Sequence, residues 1–287
     1  MSNPAFSKNP ALNGKQNLTA DELRRIYDQP AAEVNRPGVD TPAGAAPGAG
    51  VPAGAPTMPA SSSPMTYENT ISKTVFLFIL TVAFAAVGWM ATPTMPFIPF
   101  VGAIVGLVLG LVNSFKKQPS VPLIIGYAAF QGLFLGGISM IFEAQWAGIV
   151  SQAVIGTFAV FGVTLLLFRS GKVRTSPRMT KIVLIAMVGY GVFSLINFIL
   201  MLTGINDNPW GLRGVTIFGF PLGVVIGLLA VALAAYSLVM DFEMIQNGVQ
   251  NRVPEKWGWS AAFGIMVTLI WLYVEILRII AILRGND

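Results

Sequence analysis

The sequence predicts an all-α membrane protein with seven transmembrane helices. Of its 287 residues, 54% are hydrophobic and only 11% are charged, and the mean hydropathy is +0.68. A soluble domain carries roughly 25% charged residues. The apolar residues fall into seven stretches of about the 20 residues that a bilayer-crossing helix needs.

The predicted spans follow one another from residue 72, and polar residues, glycine or proline separate them. The second is short, rich in glycine and begins after Pro96. The sixth precedes a polar segment from Gln246 to Trp257, in which Pro254 favours a loop. In order, the spans are expected at 72–92, 98–115, 120–142, 148–168, 181–203, 215–241 and 259–283.

The first 65 residues differ from the rest in composition, because Pro, Ala, Gly and Ser dominate from about residue 30. Such a segment buries too little apolar surface to fold. One island, 19–27, has capping-box spacing between Thr19 and Glu22 and predicts about two helical turns. We therefore expect a disordered cytosolic leader over 1–65 and a seven-helix transmembrane domain over 66–287.

Basic residues in the short loops predict the orientation, since cytosolic loops are rich in Lys and Arg. Nine lie on the side of the N-terminus and two on the other side. We expect a cell (inner or plasma) membrane protein with a cytosolic N-terminus and an external C-terminus. The nine are Lys116, Lys117, Arg169, Lys172, Arg174, Arg178, Lys181, Arg252 and Lys256, and the two are Arg213 and Arg284.

The chain contains neither histidine nor cysteine. This composition excludes a Ser-His triad, an H-E-x-x-H zinc site and cysteine metal sites. No phosphate-binding G-x-x-x-x-G-K-[ST] loop is present, and the net charge of +5 suits basic loops rather than nucleic acid. We expect no enzymatic activity and no cofactor. Side-chain proton chemistry near neutral pH would have to come from carboxylates.

Two acidic clusters near the C-terminus hold the candidate functional residues. Asp241 and Glu243 lie at the expected end of span six, and Glu275 lies inside span seven. A charge at the centre of a transmembrane helix costs on the order of 2.5–3.5 kcal/mol, so Glu275 is a functional candidate. Two structural alternatives stay open: an ion pair of Glu275 with Arg278 three residues later, and a solvated helix end around Asp241 and Glu243.

Asp241 and Glu275 are expected to act as a carboxyl pair. Two carboxylates that meet inside a protein share a proton, because both cannot ionise cheaply. The pair would keep a pore closed while it shares the proton and would give calcium a weak, transient site, since calcium prefers oxygen ligands. Glu243 is a secondary candidate. Plain solvation is expected for Glu143, Asp207 and Glu255.

The segments Met240–Ile245 and Ala261–Arg278 resemble the last two spans of the Bax inhibitor-1/YccA family, also called the transmembrane Bax inhibitor motif family. The likeness covers about residues 66–284, and the Asn3-Pro4-Ala5-Phe6 start is similar to a bacterial subgroup. The resemblance implies six helices wrapped around a central C-terminal helix. It also implies a pH-sensitive calcium leak channel with an aspartate pair as sensor.

On that resemblance Asp241 matches the first sensor position and Glu275 the second, where the family sensor has Asp. A basic latch near the end of the second helix would be Lys116 or Lys117, while Arg278 competes for Glu275. The expected partners are calcium or another cation, the lipid bilayer and a membrane protein. The alternative function is a non-conducting regulator that binds a membrane protease or quality-control complex. A secondary transporter needs inverted repeats, and the sequence shows no convincing repeat.

The spacing of the proposed pair sets a geometric condition. Asp241 and Glu275 are 34 positions apart and centre on Gly258, whereas the polar loop centres near Arg252. A simple hairpin would place Asp241 opposite Phe263, so Glu275 lies about 12 residues, or roughly 18 Å, too deep. The pair therefore requires helix six to run well past Asp241, or an uneven or re-entrant loop before span seven.

Overall fold

A computed structural model describes residues 63–204, 208, 210–217 and 219–285. The predictions for the leader up to residue 62, for the helical island at 19–27 and for Asp207 lie outside the described residues. Within the described ranges the chain forms seven helices that are long and apolar enough to cross a membrane, which confirms the predicted fold class.

The described helices are α1 (Tyr67–Ala91), α2 (Ile98–Phe115), α3 (Val121–Gln145), α4 (Ile149–Arg169), α5 (Pro177–Leu202), α6 (Leu222–Gln250) and α7 (Trp257–Arg284). A 3₁₀ turn (Gly211–Gly214) and two antiparallel two-residue strands, β1 (Thr216–Ile217) and β2 (Phe220–Pro221), lie between α5 and α6.

Helix α6 differs most from its predicted span of 215–241. It begins later because β1 and β2 occupy the first residues of that span. It also continues to Gln250, because Phe242 and Ile245 pack into the hydrophobic cluster between α6 and its neighbours. Asp241 was therefore misplaced at a helix end and lies nine residues before it. Of the two arrangements expected before span seven, a helix six that runs past Asp241 or an uneven or re-entrant loop, the structure has the first.

Helix α7 is the central helix of the described domain. It packs against α1, α3, α4 and α6, and half of its most apolar window is buried. Helix α2 packs mainly against α3, and α5 packs mainly against α6. The prediction of a central C-terminal helix is confirmed.

Closely packed glycines join the first three helices. A Cβ on Gly132 of α3 would lie 2.5 Å from the carbonyl oxygen of Thr81 in α1. A Cβ on Gly102 of α2 would lie 2.7 Å from the carbonyl oxygen of Phe130 in α3. No side chain fits such gaps, so the backbones approach closely, as small residues allow in membrane helices.

Loop contacts define two ends of the bundle. At the α6–α7 end, Lys256 donates a hydrogen bond to Gln118 at 3.1 Å, and Arg174 donates one to Gln246 at 2.7 Å. At the α5–α6 end, Arg284 donates to the carbonyl oxygen of Ala147 at 2.9 Å. The helices alternate in direction between these two ends.

Candidate functional site

Asp241 lies in the contact between α6 and α7 and is only 9% exposed. Its Oδ2 accepts a hydrogen bond of 2.9 Å from the hydroxyl of Thr268. Its Oδ1 points at Gly264, where a Cβ would lie 2.8 Å away. Neither of the two ion pairs within the described residues involves Asp241. The carboxyl therefore has one hydrogen-bonding hydroxyl and a backbone surface as its immediate polar surroundings.

Glu275 lies deeper along α7 and is 1% exposed. Its Oε2 accepts a hydrogen bond of 2.5 Å from the hydroxyl of Tyr190 in α5 and is also bonded by the guanidinium of Arg278. Arg278 donates to the Tyr190 oxygen as well, at 2.6 Å. The local ion pair considered from the sequence is thus present, and a tyrosine from α5 completes it.

A second arginine enters this region from the 3₁₀ turn. Arg213 is 3% exposed and donates hydrogen bonds to the hydroxyl of Ser194 at 2.7 Å and to Tyr190 at 3.4 Å. Its guanidinium also lies 5.5 Å from the ring centres of Tyr190 and Phe193. The sequence had placed this arginine in a loop, but the turn folds it back against α5. We call Tyr190, Ser194, Arg213, Glu275 and Arg278 the arginine cluster.

The structure does not bring Asp241 and Glu275 together. Along α7, Thr268 and Glu275 are seven residues apart, or about 10 Å. Along α6, a Cβ on Gly227 would lie 3.4 Å from Oε1 of Glu275, and Gly227 precedes Asp241 by fourteen residues, or about 21 Å. The simple hairpin count, which put Asp241 near residue 263 of α7, describes this arrangement well.

The other predicted site residues lie at the α6–α7 end. Lys116 and Lys117 are exposed just beyond α2, and neither forms one of the ion pairs found among the described residues. Glu243 accepts hydrogen bonds from the backbone nitrogen of Thr175, at 2.8 Å, and from its hydroxyl. Glu243 therefore fastens the α4–α5 loop to α6.

A short segment before α1 is bound to the α6–α7 loop. The Met65 nitrogen donates to the Val253 carbonyl oxygen at 2.8 Å, and the Glu255 nitrogen donates to the Ser63 carbonyl oxygen at 2.8 Å. The Met65 side chain is buried. We call this pairing of residues 63–65 with 253–255 the clasp. Composition alone had assigned residues 63–65 to the leader.

The Glu255 side chain completes the clasp. Its carboxylate accepts hydrogen bonds from the Ser63 hydroxyl and from the Asn69 amide at 2.6 Å, and it forms an ion pair with Lys73 at 3.2 Å. The bonds from Ser63, Asn69 and Lys73, in that order, lower the pKa of Glu255 to about 2. The prediction of plain solvation was wrong for Glu255, because three donors from the start of the domain converge on it.

The same prediction was wrong for Glu143. Its two carboxylate oxygens accept hydrogen bonds from the backbone nitrogens of Gly148, at 2.6 Å, and Val150, at 3.0 Å. Gly148 directly precedes α4 and Val150 lies in its first turn, where backbone nitrogens have no partner within the helix. Glu143 therefore caps α4 from the end of α3.

Sequence reasoning missed three residues of these sites. Thr268 lies two turns before Glu275 on α7, and the hairpin count pointed close to it. Tyr190 is a polar side chain near the middle of an apolar span, which is itself a signal of an internal contact. Arg213 gave no signal, because an arginine beside Gly211 and Gly214 reads as a loop residue. In the part of the chain that the structure describes, no three acidic side chains converge on one point.

Seven helices able to span a membrane, the last of them buried among the others, and ionisable side chains held inside define a multi-pass membrane protein. The sequence matches the family described as Bax inhibitor 1 like over residues 3–285, and the chain belongs to that family. The resemblance seen in the last two spans is thereby confirmed. A comparison with curated proteins gives no match.

Proposed function

We propose that the chain is a cation leak channel, with calcium among the ions it passes, and that it opens when Asp241 loses its proton. One observation carries the proposal. Asp241 is buried between α6 and α7, accepts a hydrogen bond from Thr268, and has no ion-pair partner among the described residues.

The cost of burying charge links this carboxyl to opening. A neutral carboxyl with a hydrogen-bond partner is tolerated in an apolar setting, whereas an unpaired carboxylate costs far more. Loss of the proton therefore favours an arrangement in which α6 and α7 separate at this level and water reaches Asp241. A hydrated carboxylate then attracts a hard cation such as calcium.

Glu275 does not act here as the second member of a proton-sharing pair, which was the role expected from the sequence. Its charge is balanced by Arg278, and Tyr190 ties it to α5. A shared proton with Asp241 would require a shift of about 10 Å along α7. We therefore assign proton sensing to Asp241 and the positioning of α7 against α5 to Glu275. We assign no gating role to Lys116 and Lys117, since neither forms one of the two ion pairs among the described residues.

Calcium flux into liposomes tests the proposal. Wild-type flux is expected to rise with pH as Asp241 ionises, while Asp241→Asn, which stays neutral, is expected to give low flux at every pH. Glu243→Gln is the matched control, because Glu243 lies one turn or less away but bonds Thr175 instead. Its pH dependence should equal that of the wild type.

Two results would overturn the proposal, once circular dichroism shows that the variants keep their helices. The first is an Asp241→Asn protein that keeps the wild-type pH dependence. The second is a wild-type flux no greater than that of protein-free liposomes. The second result would favour the non-conducting regulator that the sequence left open.

A further inference from the structure

We propose that the cleft between α1 and α4 binds one acyl chain of a phospholipid from the leaflet at the α5–α6 end. The cleft encloses a cavity of about 580 Å³. Ligand pockets in proteins have volumes of roughly 300–1,000 Å³. The floor of the cavity is the central helix α7, through Met266, Leu269 and Ile270, and α3 supplies a further wall.

This cavity is separate from the Asp241 site. Gly264 and Thr268, which contact Asp241, lie on one side of α7. Met266 and Ile270 lie on the opposite side, because each follows one of those two residues by about half a turn of helix. The inference therefore does not rest on the leak, and its test does not measure flux.

The cavity has the length of one acyl chain. Its inner end lies where α1 and α4 meet, since the rings of Phe78 and Phe158 pack edge to face with centres 5.9 Å apart. From Phe78 it follows α1 as far as Met90, twelve residues on, or about 18 Å towards the α5–α6 end. One leaflet contributes about 15 Å of hydrocarbon to a bilayer, which is half of the roughly 30 Å core.

The mouth of the cavity opens onto the lipid-facing surface of the bundle. Val82 of α1 and Phe158 of α4 line the cavity and are still 51% and 50% exposed. Nearby residues of the same two helices that lie outside the cavity, Ile79 and Ile155, are exposed as well. The cavity is therefore continuous with the surface that acyl chains cover, and this continuity identifies lipid as the occupant.

The hydroxyl groups in the cavity walls are bonded within the protein. Those of Thr81 and Thr157 donate to backbone carbonyl oxygens one turn earlier, at 2.9 and 2.7 Å. Those of Ser139 and Tyr273 bond to each other at 2.6 Å. The walls therefore offer hydrocarbon. An acyl chain gains dispersion contacts there, whereas a polar ligand would lose the hydrogen bonds it makes to water.

Trp89 marks the outer end of the cavity. It lines the cavity two residues before the end of α1 and is 37% exposed. Tryptophan is enriched at the level of the lipid headgroups, where its indole N–H donates a hydrogen bond while its ring stays in hydrocarbon. A bound chain would therefore have its headgroup beside Trp89 and its terminal methyl group near Phe78.

Photocrosslinking in liposomes tests the site on the full chain. The probe is a phosphatidylcholine that carries a diazirine near the end of one acyl chain, and mass spectrometry locates the adducts. We expect adducts on Met266, Leu269 or Ile270, which form the floor of the cavity. A second probe, with the diazirine next to the ester, should label Trp89 or Met90 instead.

Ala86→Phe narrows the cavity, and Ala83→Phe is its matched control. Both alanines are exposed on α1, but only Ala86 lines the cavity. A chain beside the added ring would be overpacked, so the yield of α7 adducts should fall by about tenfold in Ala86→Phe. Ala83→Phe should give the wild-type yield.

Absence of α7 adducts in the wild type, or equal yields in folded Ala86→Phe and Ala83→Phe proteins, would overturn the proposal. So would a chain-end probe that labels Trp89 in place of α7. A wild type without α7 adducts, together with oxidative dimers of Ala86→Cys, would assign the cleft to a second copy of the chain and would also overturn it.

A second pair of variants serves if circular dichroism shows that Ala86→Phe does not fold. Val154→Phe narrows the cavity from α4, and Ile155→Phe is its control, because Val154 lines the cavity and Ile155 does not. The same loss of α7 adducts is expected in Val154→Phe alone. Equal yields in these two variants would overturn the proposal.

Discussion

Gly264 determines how closely α7 can approach the carboxyl of Asp241. An added Cβ would lie 2.8 Å from Oδ1, closer than van der Waals contact. The carboxyl would have to turn away and weaken its bond to Thr268. Glycine at this position is therefore part of the Asp241 site, although it carries no functional group.

Gly264→Ala tests this contact, with Gly162→Ala as its control. Both glycines lie inside helices, but a Cβ on Gly162 meets nothing within 4 Å. Alanine at 162 should raise the free energy of unfolding by up to about 1 kcal/mol through helix propensity. The free energy of unfolding of Gly264→Ala should be about 1–3 kcal/mol lower than that of Gly162→Ala. This difference is the cost of overpacking or of a lost buried hydrogen bond. Denaturant titration in micelles measures both, and equal stabilities would contradict the contact.

At the scale of elements, the clasp joins the start of α1 to the loop between α6 and α7. Two backbone hydrogen bonds join residues 63–65 to residues 253–255, and the Glu255 carboxylate accepts hydrogen bonds from Ser63, Asn69 and Lys73. Its strength depends on the charge of that carboxylate. The clasp therefore holds α1 to the α6–α7 loop through a contact that includes an ionisable group, Glu255.

The pKa of Glu255 gives the clasp a defined pH dependence. Because the pKa is lowered from 4.5 to about 2, the ionised form stabilises the clasp fully above about pH 4.5. That contribution is lost as the pH falls through about 2. Hydrogen exchange at the Met65 amide, divided by its intrinsic rate, should show protection above pH 4.5 that declines below it.

Glu255→Gln should remove this pH dependence, since the amide does not titrate. Glu68→Gln, at the start of the same helix α1, should leave it unchanged. A Glu255→Gln protein with the wild-type decline in protection would show that another group controls the clasp.

At the scale of the whole molecule, the distribution of basic residues predicts which end of the bundle faces the cytosol. Lys116, Lys117, Arg174, Arg252 and Lys256 all belong to the α6–α7 end. Arg213, which is buried, and Arg284 lie on the other side. This asymmetry predicts that the α6–α7 end faces the cytosol.

Single cysteines test this orientation cleanly, because the chain has none of its own. In intact cells, a membrane-impermeant maleimide should label Ala147→Cys and should leave Lys117→Cys unlabelled until the membrane is opened. Both positions are exposed in loops, at opposite ends of the bundle. Labelling of Lys117→Cys in intact cells would reverse the assignment.

The fold was predictable because apolar length alone selects membrane helices, and six of the seven spans agree with their helices to within a few residues. The site was predictable only in part. Asp241 and Glu275 stood out because a charged side chain costs free energy inside a membrane. Their partners, Thr268 and Tyr190, are determined by the rotation of each helix about its axis and by its depth in the bundle. The buried position of Arg213 depends on the 3₁₀ turn before β1, and no local sequence pattern predicts that turn. The internal placement of polar side chains is decided by tertiary packing, which the hydropathy pattern does not record.

The clasp also has a mechanical consequence. Residues 63–65 lead directly into α1, and they are bonded to the connection between the two most buried helices, α6 and α7. A tension applied at residue 63 is delivered to residues 253–255 before it reaches α1. Residues 63–65 are thus anchored to the last hairpin of the chain, and force passes between them without crossing the five intervening helices, α1 to α5.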